Sequence, residues 1–183
     1  RVLAADVAAG RDQPALDLSA MDGFAVSATA GRSSWRVAGV AAAGDPQAAL
    51  PDGESCVEIM TGAPLPEGAD TVIPVEQVTR EGRCVSLLPD AGYRSGQHVR
   101  EAGSDYRRGA ALLRRGERIT SATVAVLAAE GVTSVPVQRP LRAAVLSTGT
   151  ELVLPEHTPE PHQIRASNRV AIEAELRAAG LEV

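Results

Sequence analysis

The segment ALDLSAMDGFAV, from Ala15 to Val26, leads into the first strand of the predicted β-rich fold. It places two carboxylates, Asp17 and Asp22, in a polar segment that closes on an Asp-Gly pair. Asp22-Gly23 is typical of a turn, because glycine reaches positive φ without steric strain and aspartate tolerates it. The apolar residues 24–26 follow at once and predict a strand. The sequence therefore predicts an acidic loop that leads directly into a β-strand, although the local pattern alone is also that of an ordinary surface turn.

Composition narrows the class of protein. The chain has 183 residues, of which 44% are hydrophobic, enough for one or two domains with a buried core. The formal net charge is −5 and no basic run is present, which argues against nucleic-acid binding. No apolar run approaches the roughly 20 residues that cross a bilayer, so we expect a cytoplasmic protein with no membrane partner. Cys56 and Cys84 are expected to be small core residues in a reducing compartment, with a disulfide left open.

Short alternating segments broken by Gly and Pro extend from Gly23 to about residue 108. This recurrence predicts an all-β unit, either a barrel or a sandwich. The candidate strands are 23–27, 35–40, 54–60, 71–79, 84–88 and 97–100. Glu81-Gly82 is expected to turn a hairpin between the fourth and fifth of these strands.

A helical pattern begins near Thr120. The apolar spacing predicts a helix over 121–130, which Thr120 or Ser121 can cap and Gly131 can end. A strand is expected at 132–137.

The last part of the chain predicts a different architecture. The apolar run Arg142–Ser147 is typical of a strand buried on both faces. A proline-rich loop over 151–167 follows, and then a helix to Ala179 that Ser167 or Asn168 can cap. This order predicts the first β–loop–α of a doubly wound α/β domain, cut before its second strand, so we expect a fragment of a longer protein.

The loop after this predicted strand is a candidate ligand site. Ligands of doubly wound domains gather at the carboxyl ends of the parallel strands. That placement makes Ser147, Thr148, Gly149 and Glu151 candidate binding residues.

A second candidate loop is TGAPLPEGAD, residues 61–70, which holds two prolines and two glycines. Proline fixes φ and glycine frees it, so the loop is expected to follow one stiff path. That stiffness would present the Thr61 hydroxyl and backbone N–H groups to an anion. The alternative is a tight crossover between two strands.

Three acidic loop residues, Asp22, Asp105 and Glu151, form the candidate catalytic and metal-binding set. If the fold gathers them, their repulsion calls for a proton or a cation among them, and Mg²⁺ suits oxygen ligands. Taken singly, each acid is more simply explained as a solvated loop charge. No P-loop, dinucleotide-binding, nucleophile-elbow or CxxC motif is present, so covalent and P-loop chemistry have no support.

The order of five motifs resembles that of the molybdopterin molybdenumtransferases, the MoeA and gephyrin E-domain proteins. The motifs are ALDLSAMDGFAV, EIMTGAPLPEGADTVIPVEQV, GQHVREAGSDYRRGAALL, RAAVLSTGTEL and QIRASN. The resemblance covers essentially the whole chain but only about the front half of the family's protein. It implies a transferase of molybdenum cofactor biosynthesis that inserts molybdate into adenylylated molybdopterin and releases AMP, with Mg²⁺ as the expected metal.

The resemblance also implies roles for residues of this chain. Asp22, Thr61, Asp105 and Glu151 match the family's functional positions. Asp22 and Asp105 are expected to position metal and water, Thr61 to contact the ligand, and Glu151 to handle ligand or molybdate. This fragment alone is not expected to complete the reaction.

The fold class implied is an α+β multidomain fragment. A β-rich, barrel-like subdomain at 10–108 is inserted in a small α/β linker subdomain, 1–9 and 109–139, and 140–183 begins the doubly wound molybdopterin-binding subdomain. The family implies a homodimer whose cleft joins the β-rich domain of one subunit to the α/β domain of the other. Molybdopterin adenylyltransferase is a candidate partner.

Departures from the family pattern leave an alternative open. Leu18, Phe24, Ser104, Thr150 and His162 stand where the family commonly has Asn, Tyr, Glu, Asp and Gly. The loss of acids at Ser104 and Thr150 thins the carboxylate set, which favours a non-catalytic dimeric scaffold of the same family as the second hypothesis. A β-barrel binding module unrelated to molybdenum is the third.

Overall fold

The computed structural model describes residues 1–183, which form two compact units. The sheet unit comprises residues 6–114 and 120–133, and the terminal unit comprises residues 1–5, 115–119 and 134–183. Regular structure is mostly β, with twelve short strands and two α-helices.

The strands are, in chain order, β1 (Val7–Ala8), β2 (Leu18–Ser19), β3 (Gly23–Val26), β4 (Ser34–Ala41), β5 (Ser55–Ile59), β6 (Thr71–Pro74), β7 (Val78–Glu81), β8 (Cys84–Leu87), β9 (Val99–Arg100), β10 (Ala111–Leu113), β11 (Leu152–Val153) and β12 (Ile164–Arg165). The helices are α1 (Ser121–Ala129) and α2 (Ser167–Ala178). Single 3₁₀ turns span Ala28–Ala30 and Val75–Gln77.

One six-stranded sheet dominates the sheet unit. Its order is β6-β3-β5-β4-β8-β7, and it curls into a half barrel. All neighbours are antiparallel except β4 and β5, which are parallel. The predicted β-rich unit is confirmed, and its strands lie close to their expected positions. The expected strand 71–79 is interrupted, because Pro74 ends β6 and the chain makes a 3₁₀ turn before β7.

Strand β3 is buried on both faces of this sheet. Phe24 and Val26 pack with Trp35 in one core cluster, and Ala25 packs with Ile59 in a second. Alternate residues of a strand point to opposite faces, so the run after Asp-Gly supplies both layers of the core. With few aromatic residues, these clusters consist mainly of Val, Ile and Ala side chains.

The predicted hairpin is confirmed, and the expectation for the cysteines is half right. β7 pairs with β8 from Val78↔Leu87 to Glu81↔Cys84, and Gly82 turns the chain with φ 60°. Both cysteines are free thiols. Cys56 is fully buried, and this burial raises its pKa to about 12. Cys84 is exposed, so its expected place in the core is wrong.

Helix α1 begins and ends as expected. Its N-cap is Thr120, whose hydroxyl accepts a 3.3 Å hydrogen bond from the Thr123 N–H. Gly131, at φ 69°, follows its last turn and donates to Ala128 O. The strand predicted at 132–137 is not formed, since only one isolated bridge, Leu3↔Val137, lies there.

The predicted doubly wound start is not seen in the terminal unit. Arg142–Ser147 is not a strand, and Leu146 is 90% exposed. A parallel strand is stabilised by partners along its edges, and this segment has only the single bridge Arg142↔Glu182. The regular elements of this unit are instead the parallel pair β11–β12 and helix α2.

Helix α2 forms where expected but starts differently. Its N-cap is Ala166, with no side-chain cap, so the predicted cap by Ser167 or Asn168 is wrong. Salt bridges from Arg169 and Arg177 to Glu173 brace its exposed face. Neither α1 nor α2 has the length and apolarity that a membrane crossing requires.

Gly23 is glycine for a reason that the Asp-Gly pattern does not reveal. Its φ is not positive, and it is the first residue of β3. A Cβ there would lie 2.1 Å from the Ile73 carbonyl oxygen and 2.8 Å from its carbonyl carbon. Close approach of two backbones, and not a left-handed turn, therefore demands glycine at this position.

We predict that Gly23→Ala lowers the free energy of unfolding by about 3 kcal/mol, because backbone atoms must shift to admit the methyl group. Urea unfolding measures the loss. Gly39→Ala is the matched control, since Gly39 also lies in a strand, at negative φ, with open space where its Cβ would be. Equal losses in the two variants would contradict the account.

Candidate functional site

Asp22 and Thr61 form a pair that joins two loops. The Thr61 backbone N–H and its hydroxyl both donate to Asp22 Oδ1, each at 2.7 Å. The anion that Thr61 was expected to receive is thus, in this structure, the carboxylate of Asp22. The second oxygen of Asp22, Oδ2, has no hydrogen-bond partner within the chain, and the residue is exposed.

The chain order around this pair explains why it forms. Asp22 lies just before β3 and Thr61 follows the end of β5, and these strands are paired with Gly23 opposite Ile59. The Val75 N–H donates to the Asp22 carbonyl oxygen at 3.2 Å. The sheet therefore fixes the backbone of both loops before their side chains meet.

The segment just before Asp22 runs between two other segments of the sheet unit. Strand β2 pairs antiparallel with β9, with Leu18 opposite Arg100. On its other side, Ser19 N donates to Ala63 O at 2.9 Å and Gly62 N donates to Ser19 O at 2.8 Å. The stems of the SAMDG, TGAPLPEGAD and REAGSD loops are therefore hydrogen-bonded side by side.

This pairing directs the loops that carry Asp22 and Asp105 away from the β2–β9 pair at different ends. Asp22 follows the carboxyl end of β2, and Asp105 follows the carboxyl end of β9. Because β2 and β9 are antiparallel, the two loops leave the pair at opposite ends. Asp105 N instead donates to Gln13 O at 2.9 Å, and its carboxylate accepts a hydrogen bond from Arg100 Nη2.

Asp17 braces the loop that carries Asp105. Its Oδ1 accepts a 2.7 Å hydrogen bond from Ala102 N, and Gly103 N donates to Pro14 O at 2.9 Å. Asp17 is therefore a structural acid that joins its own segment to the REAGSD loop.

The remaining candidates lie in the terminal unit. Ser147, Thr148 and Gly149 are exposed and belong to no helix or strand. A Cβ on Gly149 would lie 2.6 Å from Glu151 Oε1, so the carboxylate of Glu151 lies directly against this glycine. Glu151 O accepts from Ile164 N at 2.8 Å, next to the β11–β12 pair. Glu151 therefore lies beside the STG segment within the terminal unit, whereas the Asp22–Thr61 pair belongs to the sheet unit.

The expected metal site is not assembled as a cluster within the chain. No group of three or more His, Cys, Asp or Glu side chains is placed to hold a metal ion. Mg²⁺ commonly takes one or two protein carboxylates and completes its shell with water and substrate phosphate. Asp22, an exposed residue with one unpaired carboxylate oxygen, fits that use.

Arg100 is a further candidate site residue, which the sequence analysis did not select. Its guanidinium pairs with Asp105 and is half exposed, so N–H donors remain available to an anion. The signal was a basic residue directly before the EAGSD motif, at the end of a predicted strand.

Comparison with known proteins places this geometry in a family. Residues 1–131 match the family model of the MoeA N-terminal region, domains I and II. The chain is 35% identical over its full length to a molybdopterin molybdenumtransferase of Synechocystis, of which it covers 47%. It is 36% identical to molybdopterin molybdenumtransferase 2 of Mycobacterium tuberculosis, of which it covers 46%. The chain thus spans about half the length of the curated relatives it matches.

A solved structure agrees with these sequence matches. The molybdopterin biosynthesis MoeA protein from Pyrococcus horikoshii superposes with a TM-score of 0.87 at 32% identity. The superposition covers all of this chain and 48% of that one. The chain therefore belongs to the MoeA family, whose curated members include several molybdopterin molybdenumtransferases.

Proposed function

We propose that this chain carries part of the active site of an enzyme that inserts molybdate into adenylylated molybdopterin and releases AMP. The main support for this proposal is the Asp22–Thr61 pair. One oxygen of the exposed Asp22 carboxylate accepts two hydrogen bonds from Thr61, and the other has no partner within the chain. Membership of a family with molybdopterin molybdenumtransferases supports the substrate class.

Asp22 is suited to a role that needs a permanent negative charge. The backbone N–H of Thr61, and after it the Thr61 hydroxyl, stabilise the ionised carboxyl and lower the pKa of Asp22 below its ordinary value. The carboxylate is therefore ionised at neutral and mildly acidic pH. Its free oxygen can bind a hard cation or accept a hydrogen bond from water, while Thr61 keeps its orientation fixed.

The surroundings of the pair suit a ligand with both a flat ring and phosphate. Met21 and Met60, the neighbours of Asp22 and Thr61 in sequence, are 38% and 37% exposed. Val75, whose N–H contacts the Asp22 backbone, is also exposed. Methionine adapts to irregular and aromatic surfaces, so an apolar ring can pack beside the charged oxygen.

Mg²⁺ is proposed as the metal, held by the Asp22 carboxylate together with substrate phosphate, because the structure does not gather Asp22, Asp105 and Glu151 into one group. When bound, it would neutralise charge on the phosphates and polarise the phosphoryl group that is attacked. In this scheme Asp22 anchors the metal and orients the substrate phosphate. Asp105 positions the attacking water. Arg100 beside Asp105 binds phosphate or molybdate through its free N–H donors.

Glu151 and the residues Ser147, Thr148 and Gly149 are proposed to bind ligand or molybdate from the terminal unit. The MoeA resemblance supports a homodimer in which Glu151 of one subunit serves the Asp22 site of its partner. A molybdopterin adenylyltransferase, which would deliver the adenylylated substrate, is proposed as a further partner.

A non-catalytic scaffold is the second candidate function. Ser104 and Thr150 stand at positions where carboxylates would add to the acidic set of an enzyme of this kind. The structure also shows no group of three or more His, Cys, Asp or Glu side chains placed to hold a metal ion. The two functions differ in one measurable property, which is turnover.

The full-length protein is expected to release AMP from adenylylated molybdopterin in the presence of Mg²⁺, in a reaction that depends on molybdate. Chromatographic measurement of AMP with and without molybdate tests this. AMP release that does not change with molybdate, or no release at all, would contradict the enzyme and favour the scaffold.

Asp22→Asn is expected to lower kcat about 100-fold, because the fixed charge is lost while the shape is kept. Asp45→Asn is the matched control, since Asp45 is an exposed acid whose Oδ2 also accepts a backbone N–H, from Ala42 at 2.8 Å. The control should retain wild-type kcat. A similar loss in both variants would show that removing any such loop acid impairs the protein.

Thr61→Val is expected to raise the pKa of Asp22 towards its ordinary value, because the hydroxyl donor is removed and the backbone donor remains. The stabilisation that the pair gives is present above the pKa of the unfolded chain and disappears as pH falls through the folded value. A carboxyl ¹³C NMR titration of Asp22 measures the change. An unchanged Asp22 titration in Thr61→Val would contradict the assigned hydrogen bond.

A further inference from the structure

We propose that Tyr106 and Glu130 form a clamp that positions Asp105. The inference rests on the role proposed above for Asp105, and it assigns a supporting task to two residues that had no role in the sequence analysis. Neither residue is proposed to touch the substrate. Both act through the backbone next to Asp105.

The clamp uses both oxygens of one carboxylate. The Tyr106 hydroxyl donates to Glu130 Oε1 at 2.6 Å, and the Gly10 backbone N–H donates to Glu130 Oε2 at 2.7 Å. A single side chain thus ties the loop that carries Asp105 to the start of the segment that leads to Asp22. Charge-assisted bonds of this length are among the stronger hydrogen bonds in proteins.

The position of Glu130 is itself fixed. It is the C-cap residue of α1, and its N–H donates to Val126 O at 3.2 Å. The helix is capped at its other end by Thr120 and followed by Gly131 in the left-handed conformation. The clamp therefore connects two irregular loops of the sheet unit to a regular element of the same unit.

The backbone on either side of Tyr106 carries the effect to Asp105. Gln13 N donates to Tyr106 O at 2.9 Å, and Asp105 N donates to Gln13 O at 2.9 Å. Two residues further on, Arg108 N donates to Asp12 Oδ1 at 2.7 Å. Asp105 thus lies at the start of a short segment whose orientation is set by Gln13, the Tyr106 ring and Asp12.

The ionisation states agree with this arrangement. The hydrogen bond from Tyr106 lowers the pKa of Glu130, and the same bond raises the pKa of the Tyr106 phenol. At neutral pH the phenol therefore stays a donor and the carboxylate an acceptor. The positive charge of Arg11 lowers the pKa of both groups, but for the Tyr106 phenol the raising effect of the hydrogen bond to Glu130 is larger.

Loss of the clamp should therefore affect catalysis more than folding. The core clusters of the sheet unit contain neither Tyr106 nor Glu130. Misplacement of a catalytic group by about 1 Å can lower a rate about 100-fold. If these residues only stabilised the fold, their substitution would lower the unfolding midpoint. The kcat per folded molecule would then be unchanged.

The test compares Tyr106→Phe, Glu130→Ala, their double variant and Glu130→Gln in the full-length protein. Tyr93→Phe is the matched control, because the Tyr93 hydroxyl donates to Arg32 O at 2.7 Å in the same unit, in a bond that involves neither Asp105 nor its neighbours in sequence. Molybdate-dependent AMP release gives kcat and KM. Amide hydrogen exchange at Asp105 and Tyr106 gives a readout that does not depend on turnover.

We expect Tyr106→Phe and Glu130→Ala to lower kcat between about 10- and 100-fold with KM little changed, and the double variant to be no worse than either. Glu130→Gln should retain kcat within about threefold, since glutamine can accept from Gly10 and donate to the phenol oxygen. Tyr93→Phe should retain wild-type kcat. Exchange at Asp105 and Tyr106 should accelerate only in the clamp variants.

Two results would overturn the clamp: wild-type exchange at Asp105 and Tyr106 in Glu130→Ala, or an equal fall in kcat in Tyr93→Phe. If the wild-type protein releases no AMP, the proposed function fails and the exchange data alone decide on the clamp. If Tyr106→Phe does not fold, Glu130→Ala and Glu130→Gln carry the same comparison.

Discussion

Hydrogen bonds from backbone N–H groups to carboxylates hold together the loops on which the proposed site depends. Five such bonds, each 2.7 Å long, join segments far apart in the chain: Thr61 to Asp22, Ala102 to Asp17, Arg108 to Asp12, Gly10 to Glu130 and Ala28 to Asp70. These loops make few ladder hydrogen bonds, so their N–H groups need other acceptors. Ionised carboxylates meet that need more strongly than neutral acceptors would, and this gives a structural purpose to acids in an acidic chain.

The same chemistry links the fold to the proposed function. Asp22 uses Oδ1 to hold Thr61 and leaves Oδ2 exposed, so one side chain is both a brace and a candidate ligand for a cation. Asp105 is held by different bonds: its backbone N–H donates to the Gln13 carbonyl oxygen, and its carboxylate accepts from the Arg100 guanidinium. A site built on such braces is rigid before substrate arrives, which is the condition for electrostatic catalysis on a phosphoanhydride.

Much of the sheet unit could be predicted from the sequence, because its strands are short, alternating and separated by Gly and Pro. The Thr120 cap could also be predicted, since capping depends on local residues alone. The need for glycine at position 23 could not be predicted, because it arises from the Ile73 carbonyl of a strand about fifty residues away. The strand predicted at Arg142–Ser147 is not formed, for a related reason. Strand formation depends on edge partners that a local pattern does not contain. The opposite placement of Asp22 and Asp105 likewise followed from an antiparallel pairing that only the structure revealed.

We propose that the free oxygen of Asp22 binds the metal and lies beside the phosphate of the substrate. The most direct measurement is an anomalous difference map from crystals of the full-length protein grown with Mn²⁺ and AMP. We predict a Mn²⁺ peak in direct contact with Asp22 Oδ2, with Thr61 still bonded to Oδ1. A Mn²⁺–AMP complex bound elsewhere, with Asp22 contacting neither metal nor phosphate, would contradict the account.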